Sequence, residues 1–176
     1  MTPPEPDELL MAQVAKGRVE SLEPLVRRYT VPLVSFLQRM TGNRDRAEDL
    51  FQETFLAVWR KRATYQFPRP FKPWVYAVAL NTCRAEFRGR EDFVMLPSDV
   101  PSNYPADPVE QSIATETATR IANVIEMMPP IQRAVVALSI WDGLGYPEIA
   151  EAIGRSEATV RSHMSHGLAE LRKALA

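Results

Sequence analysis

Apolar positions recur at helical spacing along most of the chain, and no alternation longer than four or five residues favours a strand. Leu9, Leu10, Gln13 and Val14 begin a short amphipathic helix that Gly17 can end. Leu22, Leu25, Val26, Leu33, Val34, Leu37 and Met40 predict a second helix from about Glu20 to Met40. Pro32 lies inside it and predicts a kink or split, because proline lacks the amide donor and clashes one turn back. Thr41-Gly42-Asn43 reads as a stop, with Asp45 near the next start. The third helix, to about Trp59, puts Ala47, Leu50, Phe51, Thr54, Phe55, Val58 and Trp59 on one face. Its other face carries Asp45, Glu48, Asp49, Gln52 and Glu53. Pro68, Pro70 and Pro73 punctuate a loop, and a fourth helix is predicted from about Pro73 to Arg88.

The texture changes at Gly89. Pro97, Pro101, Pro105 and Pro108, interspersed with Glu91, Asp92, Asp99 and Asp107, make a stretch with too little apolar surface to order itself. Residues 91–110 are therefore expected to be a flexible acidic linker between a helical unit at 1–90 and another at 111–176. In the second unit, Met127-Met128-Pro129-Pro130 breaks the pattern before a helix from about Ile131 to Trp141. Asp142-Gly143-Leu144-Gly145 is a turn, and Pro147 suits the first turn of a helix over Glu148–Ile153. Gly154 supplies a left-handed residue, and Ser156 can cap a last helix with Val160, Met164, Leu168, Leu171 and Leu175 as its buried stripe. The fold expected is all-α, two small helical domains joined by the linker.

Composition narrows the function. The chain has 176 residues, 45% hydrophobic and 24% charged, which is ordinary globular usage. Fifteen prolines against seven glycines, and no Gly-rich phosphate loop, argue against a nucleotide cradle. No apolar run is long enough to span a membrane, and the acidic, proline-rich N-terminus is unlike a secretory signal. The single cysteine, Cys83, excludes an internal disulfide and sits on the apolar register of its helix as a small core residue. His163 and His166 lack a third ligand nearby. No paired carboxylates beside a histidine, metal triad or nucleophile elbow appears, so no enzyme is expected. The chain is expected to be cytoplasmic, free of cofactors and metals, and without membrane contact of its own.

Charge is distributed unevenly. Residues 1–90 hold 15 Lys+Arg against 10 Asp+Glu, net +5; residues 91–130 hold one against seven, net −6; residues 131–176 hold five of each. Three such stretches imply different partners. Two short helices joined by a glycine turn, the second longer, fit a DNA-binding helix-turn-helix, and equally an αα-hairpin in a structural bundle. The polar face of the second helix, with Arg155 and Ser156 at its entry and Thr159, Arg161, Ser162, Ser165 and His166 along it, carries side chains that contact base edges or phosphates. The unit is neutral, so it should hold duplex DNA poorly alone.

Three segments carry a resemblance. Asp45 through Arg60 resembles the polymerase-binding helix of the extracytoplasmic-function bacterial sigma factors. Pro73-Trp74-Val75-Tyr76-Ala77-Val78-Ala79-Leu80-Asn81-Thr82-Cys83-Arg84 resembles their promoter-melting helix. Met128-Pro129-Pro130-Ile131-Gln132-Arg133 through Gly143-Leu144-Gly145-Tyr146-Pro147-Glu148-Ile149-Ala150, with Thr159-Val160-Arg161-Ser162, resembles their fourth conserved region. The segments stand in family order and spacing, and the resemblance covers residues 9–89 and 110–175.

The resemblance implies a dissociable sigma factor that directs core RNA polymerase to promoter DNA and is itself held by an anti-sigma factor. The other function the residues allow is a stand-alone helix-turn-helix regulator with a helical sensor domain. On the family pattern, Asp49, Gln52 and Glu53, flanked by Asp45 and Glu48, dock on polymerase's clamp helices. Arg60, Lys61, Phe71, Trp74, Tyr76, Asn81, Arg84 and Arg88 face the single-stranded −10 element, since aromatics stack on bases and cations hold phosphates. Trp74 and Tyr76 fit that role or the core equally. The Asn81 amide is placed to read a flipped base or to sit at the surface. Arg155, Ser156, Thr159, Arg161, Ser162, Ser165 and His166 face the −35 element, with fewer cations than the family pattern carries there. The linker either mimics RNA in the polymerase cleft or serves as a tether.

Overall fold

The structure, a computed structural model, describes residues 3–90 and 110–176; the linker expected at 91–110 lies almost wholly outside them. The described residues form α1 (Asp7–Ala15), α2 (Leu22–Thr41), α3 (Arg44–Arg60), α4 (Phe71–Arg90), α5 (Glu110–Met127), α6 (Pro130–Ile140), α7 (Tyr146–Ile153) and α8 (Glu157–Leu175). Single 3-10 turns occupy Val19–Ser21 and Arg62–Thr64. No strand occurs among the described residues.

In the first unit α3 packs on both α2 and α4, which also touch each other, and α1 packs on α2 and α4. Met11, Leu25, Leu33, Phe36, Leu37, Phe71 and Tyr76 are fully buried at its centre. Edge-on ring pairs Tyr29–Phe71, Tyr65–Trp74 and Phe36–Tyr76, all at 5.3 Å, join the helices. Side chains of α1 tie it down. Asp7 accepts from Tyr29 Oη at 2.7 Å and from Arg28 at 2.6 Å, and Glu8 accepts from the Phe71 amide at 3.0 Å. That last bond satisfies an otherwise orphaned amide, and α4 starts at Phe71, two residues before the sequence suggests. Likewise Asn43 Oδ1 accepts from the Arg46 amide at 3.0 Å, so α3 starts one residue before Asp45.

Of the kink or split expected at Pro32, the split does not occur: α2 is one continuous helix. Leu33, Val34, Phe36 and Leu37 are all buried against neighbours, and that packing outweighs one missing backbone bond. Gly42, at φ +69°, ends the helix, its amide bonded to the Gln38 carbonyl at 2.8 Å.

In the second unit α6 is central, and Ala134 to Leu138 are buried without interruption. It packs on α8 and α7, while α5 packs on α8. At Gly167 the α8 backbone approaches α6 so closely that a Cβ would collide with Val136 Cγ2. The buried stripe of α8 ends at Leu171; Leu175, expected within it, is half exposed.

The units pack together. α7 lies on α4, and α6 and α5 lie on α2. Arg133 bridges them, donating to the Met40 carbonyl at 2.6 Å and, within its own unit, to the Met128 carbonyl at 3.0 Å.

Candidate functional sites

The acidic face of α3 forms because Ala47, Leu50, Thr54, Phe55 and Val58 of its apolar stripe are buried in the core on the opposite side. Asp45, Glu48, Asp49, Gln52 and Glu53 are all exposed. Glu48 pairs with Arg44 at 3.0 Å, one turn away. Asp49 and Glu53 act electrostatically on Arg46, whose guanidinium is held above its usual pKa chiefly by its bond to Glu86. The sequence reading missed Leu56, which is 57% exposed amid this face. Its signal was available: it falls off the α3 apolar stripe, three and four residues after Glu53 and Gln52. An exposed leucine at the C-terminal end of this acidic face adds an apolar contact to a docking surface.

The basic and aromatic segment divides sharply. Arg60, Lys61, Asn81 and Arg88 are exposed, and Arg84 is half-buried. Phe71, Trp74 and Tyr76 depart from the DNA-facing expectation, because each is buried. Phe71 and Trp74 close a cluster with Tyr29 and Tyr65, and Tyr76 packs on Phe36, so none offers a ring face for a base to stack on. Phe67 in the preceding loop is the aromatic of this segment that faces out, 54% exposed. Composition alone could not single it out of its aromatic neighbours. Asn81, Arg84 and Arg88 line a groove of about 490 Å³ together with Met40, Leu80 and Phe87. Cys83 lies beneath, and burial pushes its thiol up to about 12, so it is not a thiolate at neutral pH.

The helix-turn-helix is built from local signals. The Glu148 carboxylate accepts from the Gly145 amide at 2.8 Å and so fixes the start of α7. Gly154, at φ +66°, turns the chain, and Ser156 Oγ accepts from the Thr159 amide at 3.2 Å to cap α8. Ile149, Ala150 and Ile153 pack inward with Val160 and Met164. Outward, Arg155, Ser156, Arg161, Ser162, Ser165 and His166 are exposed, while Thr159 is half-buried with its hydroxyl 3.0 Å from that of Ser156. Arg161 is only loosely held by Glu157, at 3.4 Å with both side chains exposed, so a stronger anion can claim it.

Comparison with known proteins follows this division. Residues 25–92 match Sigma-70 region 2 and residues 118–171 match Sigma-70, region 4. The chain is 33% identical over 165 residues to the ECF RNA polymerase sigma factor SigE of Mycolicibacterium smegmatis, covering 92% of the chain and 64% of that protein's length. The RNA polymerase sigma factor CnrH of Cupriavidus metallidurans is 27% identical over 97% of the chain and 95% of its own. The structure of CnrH in complex with the cytosolic domain of CnrY superposes with a TM-score of 0.74 at 25% identity, over 96% of both chains. The sigma factor RpoE of Bartonella quintana, solved with the anti-sigma factor NepR, superposes with a TM-score of 0.71 at 22% identity, over 89% of this chain and 98% of that one, a likeness of fold. Among the described residues no helix is long and apolar enough to cross a membrane.

Proposed function

Because the chain belongs to the extracytoplasmic-function sigma factors, we propose that it directs core RNA polymerase to specific promoters and initiates transcription there, without catalysis of its own. The observation that carries this reading is the pairing, on one chain, of a region 2 helix with an exposed acidic face and a region 4 helix-turn-helix with an exposed reading face. Asp45, Glu48, Asp49, Gln52 and Glu53, with Leu56 at the C-terminal end of their face, dock on the polymerase clamp. Arg60, Lys61, Arg84 and Arg88 hold the phosphates of the separated −10 strand, Phe67 stacks on a base and Asn81 reads one. Phe71, Trp74 and Tyr76 support that surface from the core. Arg155, Arg161, Ser162, Ser165 and His166 face the −35 duplex, while Ser156 and Thr159 shape the entry to α8.

The chain acts in the cytoplasm, where polymerase and promoter are, and an anti-sigma factor holds it until a signal arrives. Its neutral region 4 gains promoter affinity from polymerase, which fixes both regions on one DNA at high effective concentration. In vitro transcription from a genomic promoter pool tests this: added chain should make core polymerase start at a discrete promoter set. Nanomolar, sequence-specific duplex binding by the chain alone, with no new starts, would instead establish a stand-alone regulator.

A further inference from the structure

α1 stands outside the residues matched to Sigma-70 region 2, which begin at residue 25. Its first turn carries two carboxylates, Asp7 and Glu8, and acidic residues there ordinarily serve the N-terminus of their own helix. Here both are turned on other elements, and both are half-buried. Asp7 accepts from Arg28 at 2.6 Å and from Tyr29 Oη at 2.7 Å, which pins α1 to α2. Glu8 accepts from the Phe71 amide at 3.0 Å, at the first residue of α4.

Phe71 is where the loop that carries Phe67 joins α4. The Arg69 amide donates to the Gln66 carbonyl at 2.8 Å, and the Tyr65 hydroxyl donates to the Arg69 carbonyl, so Phe67 sits in a turn closed by two bonds. Burial, and then the Glu8 carboxylate, push the Tyr65 hydroxyl up to about 12, so it keeps the proton it donates. The Tyr65 ring lies edge-on to Phe71 at 6.3 Å, and Phe71 in turn meets Tyr29, the partner of Asp7. Local signals alone would start α4 at Pro73, whose ring suits a first turn and whose missing amide needs no acceptor. Glu8 draws Phe71 and Lys72 into the helix by giving the Phe71 amide an acceptor from another helix.

We propose, resting on the reading above that Phe67 stacks on a −10 base, that Glu8 is a positioning residue for promoter opening: it sets the first residue of α4, hence the length of the preceding loop and the place of Phe67 against the unpaired strand. Without Glu8 the Phe71 amide loses its acceptor, and the helix start moves toward Pro73. The loop then gains two residues, and Phe67 is no longer held in one place.

Two measurements test this. Amide hydrogen exchange on the free full chain reads the helix start. Glu8→Ala should speed exchange at Phe71 on the order of fivefold or more, and Phe67→Ala should leave that rate unchanged. Alanine is a strong helix former, so α1 should persist; if Glu8→Ala does not fold, Glu8→Met, which keeps the stem and removes the acceptor, takes its place. The lifetime of holoenzyme open complexes reads the consequence. Phe67→Ala should shorten it on the order of fivefold or more, Glu8→Ala should shorten it too, and the double variant should be no worse than Phe67→Ala alone. Recruitment to duplex should stay nearly intact in all three. Glu8→Gln, which keeps a carbonyl acceptor, should retain most of both readouts. Unchanged exchange at Phe71 would overturn the proposal whatever happens at the promoter, and so would a double variant whose loss is the sum of the single losses. Unchanged lifetimes in Phe67→Ala would sink the stacking reading and the proposal with it, while faster exchange in Glu8→Ala would leave the hold of Glu8 on the helix start standing.

Discussion

The two units present their working surfaces in opposite ways. In region 4 the face of α8 that carries Arg161, Ser162, Ser165 and His166 is open to solvent, and the helix is held from behind by α5, α6 and α7. In region 2 the helix that resembles the melting element turns its rings into the core and commits Lys72 and Arg84 to region 4. The difference matches the substrates. Duplex DNA is available from the first encounter, so its reader can stand exposed. A single strand exists only after melting, and the surface proposed to hold it is divided: Lys72 and Arg84 are engaged by region 4, while Arg60, Lys61, Phe67, Asn81 and Arg88 stand exposed.

The comparison is broken most severely at the aromatic core. Phe71→Ala should lower region 2 stability by about 3–5 kcal/mol, the usual effect of truncating a buried aromatic. Phe67→Ala should change it by less than about 0.5 kcal/mol and instead weaken open complexes. Thermal unfolding beside open-complex lifetimes separates the two; equal destabilisation would mean that Phe67 is not a surface residue.

Region 4 depends on a glycine rather than on rings. Gly167→Ala should cost about 1–3 kcal/mol through overpacking, because the new methyl meets the stiff, β-branched Val136. Val136→Ala added to it should recover part of the loss. Denaturant unfolding of the single and double variants measures this, and additive losses would contradict the close approach. Ser156→Ala should have a smaller effect, about 0.5–2 kcal/mol, by uncapping α8.

The smallest effect expected is on pH. Burial raises the Asp142 carboxyl above the usual carboxylate range, against the opposing pull of the Tyr76 hydroxyl, Arg39 and Lys72. The folded chain therefore binds that proton more tightly than the unfolded one. The contribution of Asp142 to stability should be larger as pH falls through the raised value and be lost as pH rises above it. Denaturant unfolding across pH should show that trend, and Asp142→Asn should abolish it.

Much of this was legible in the sequence. Periodicity marks the acidic face of α3, and Gly154 with Ser156 marks the helix-turn-helix, because caps and stripes are local. What was not legible is non-local. The stripe of α4 shows that Tyr76 belongs to a helix face, but only the fold shows that the face meets Phe36 and Asp142. The requirement for glycine at 167 depends on Val136, thirty-one residues away. Leu56 was overlooked because attention to the regular stripe hides the residue that departs from it.

The division of labour between the regions is tested most directly by permanganate footprinting of the holoenzyme on duplex and pre-melted promoter templates. Arg161→Ala should reduce recruitment to duplex, by about 1–3 kcal/mol if it makes a bidentate base contact. Asn81→Ala should leave recruitment nearly intact and reduce strand opening, because a base reaches its amide only after the strands part, and the pre-melted template should largely restore the signal. Equal loss of duplex recruitment by both variants, with no recovery on the pre-melted template, would contradict the account.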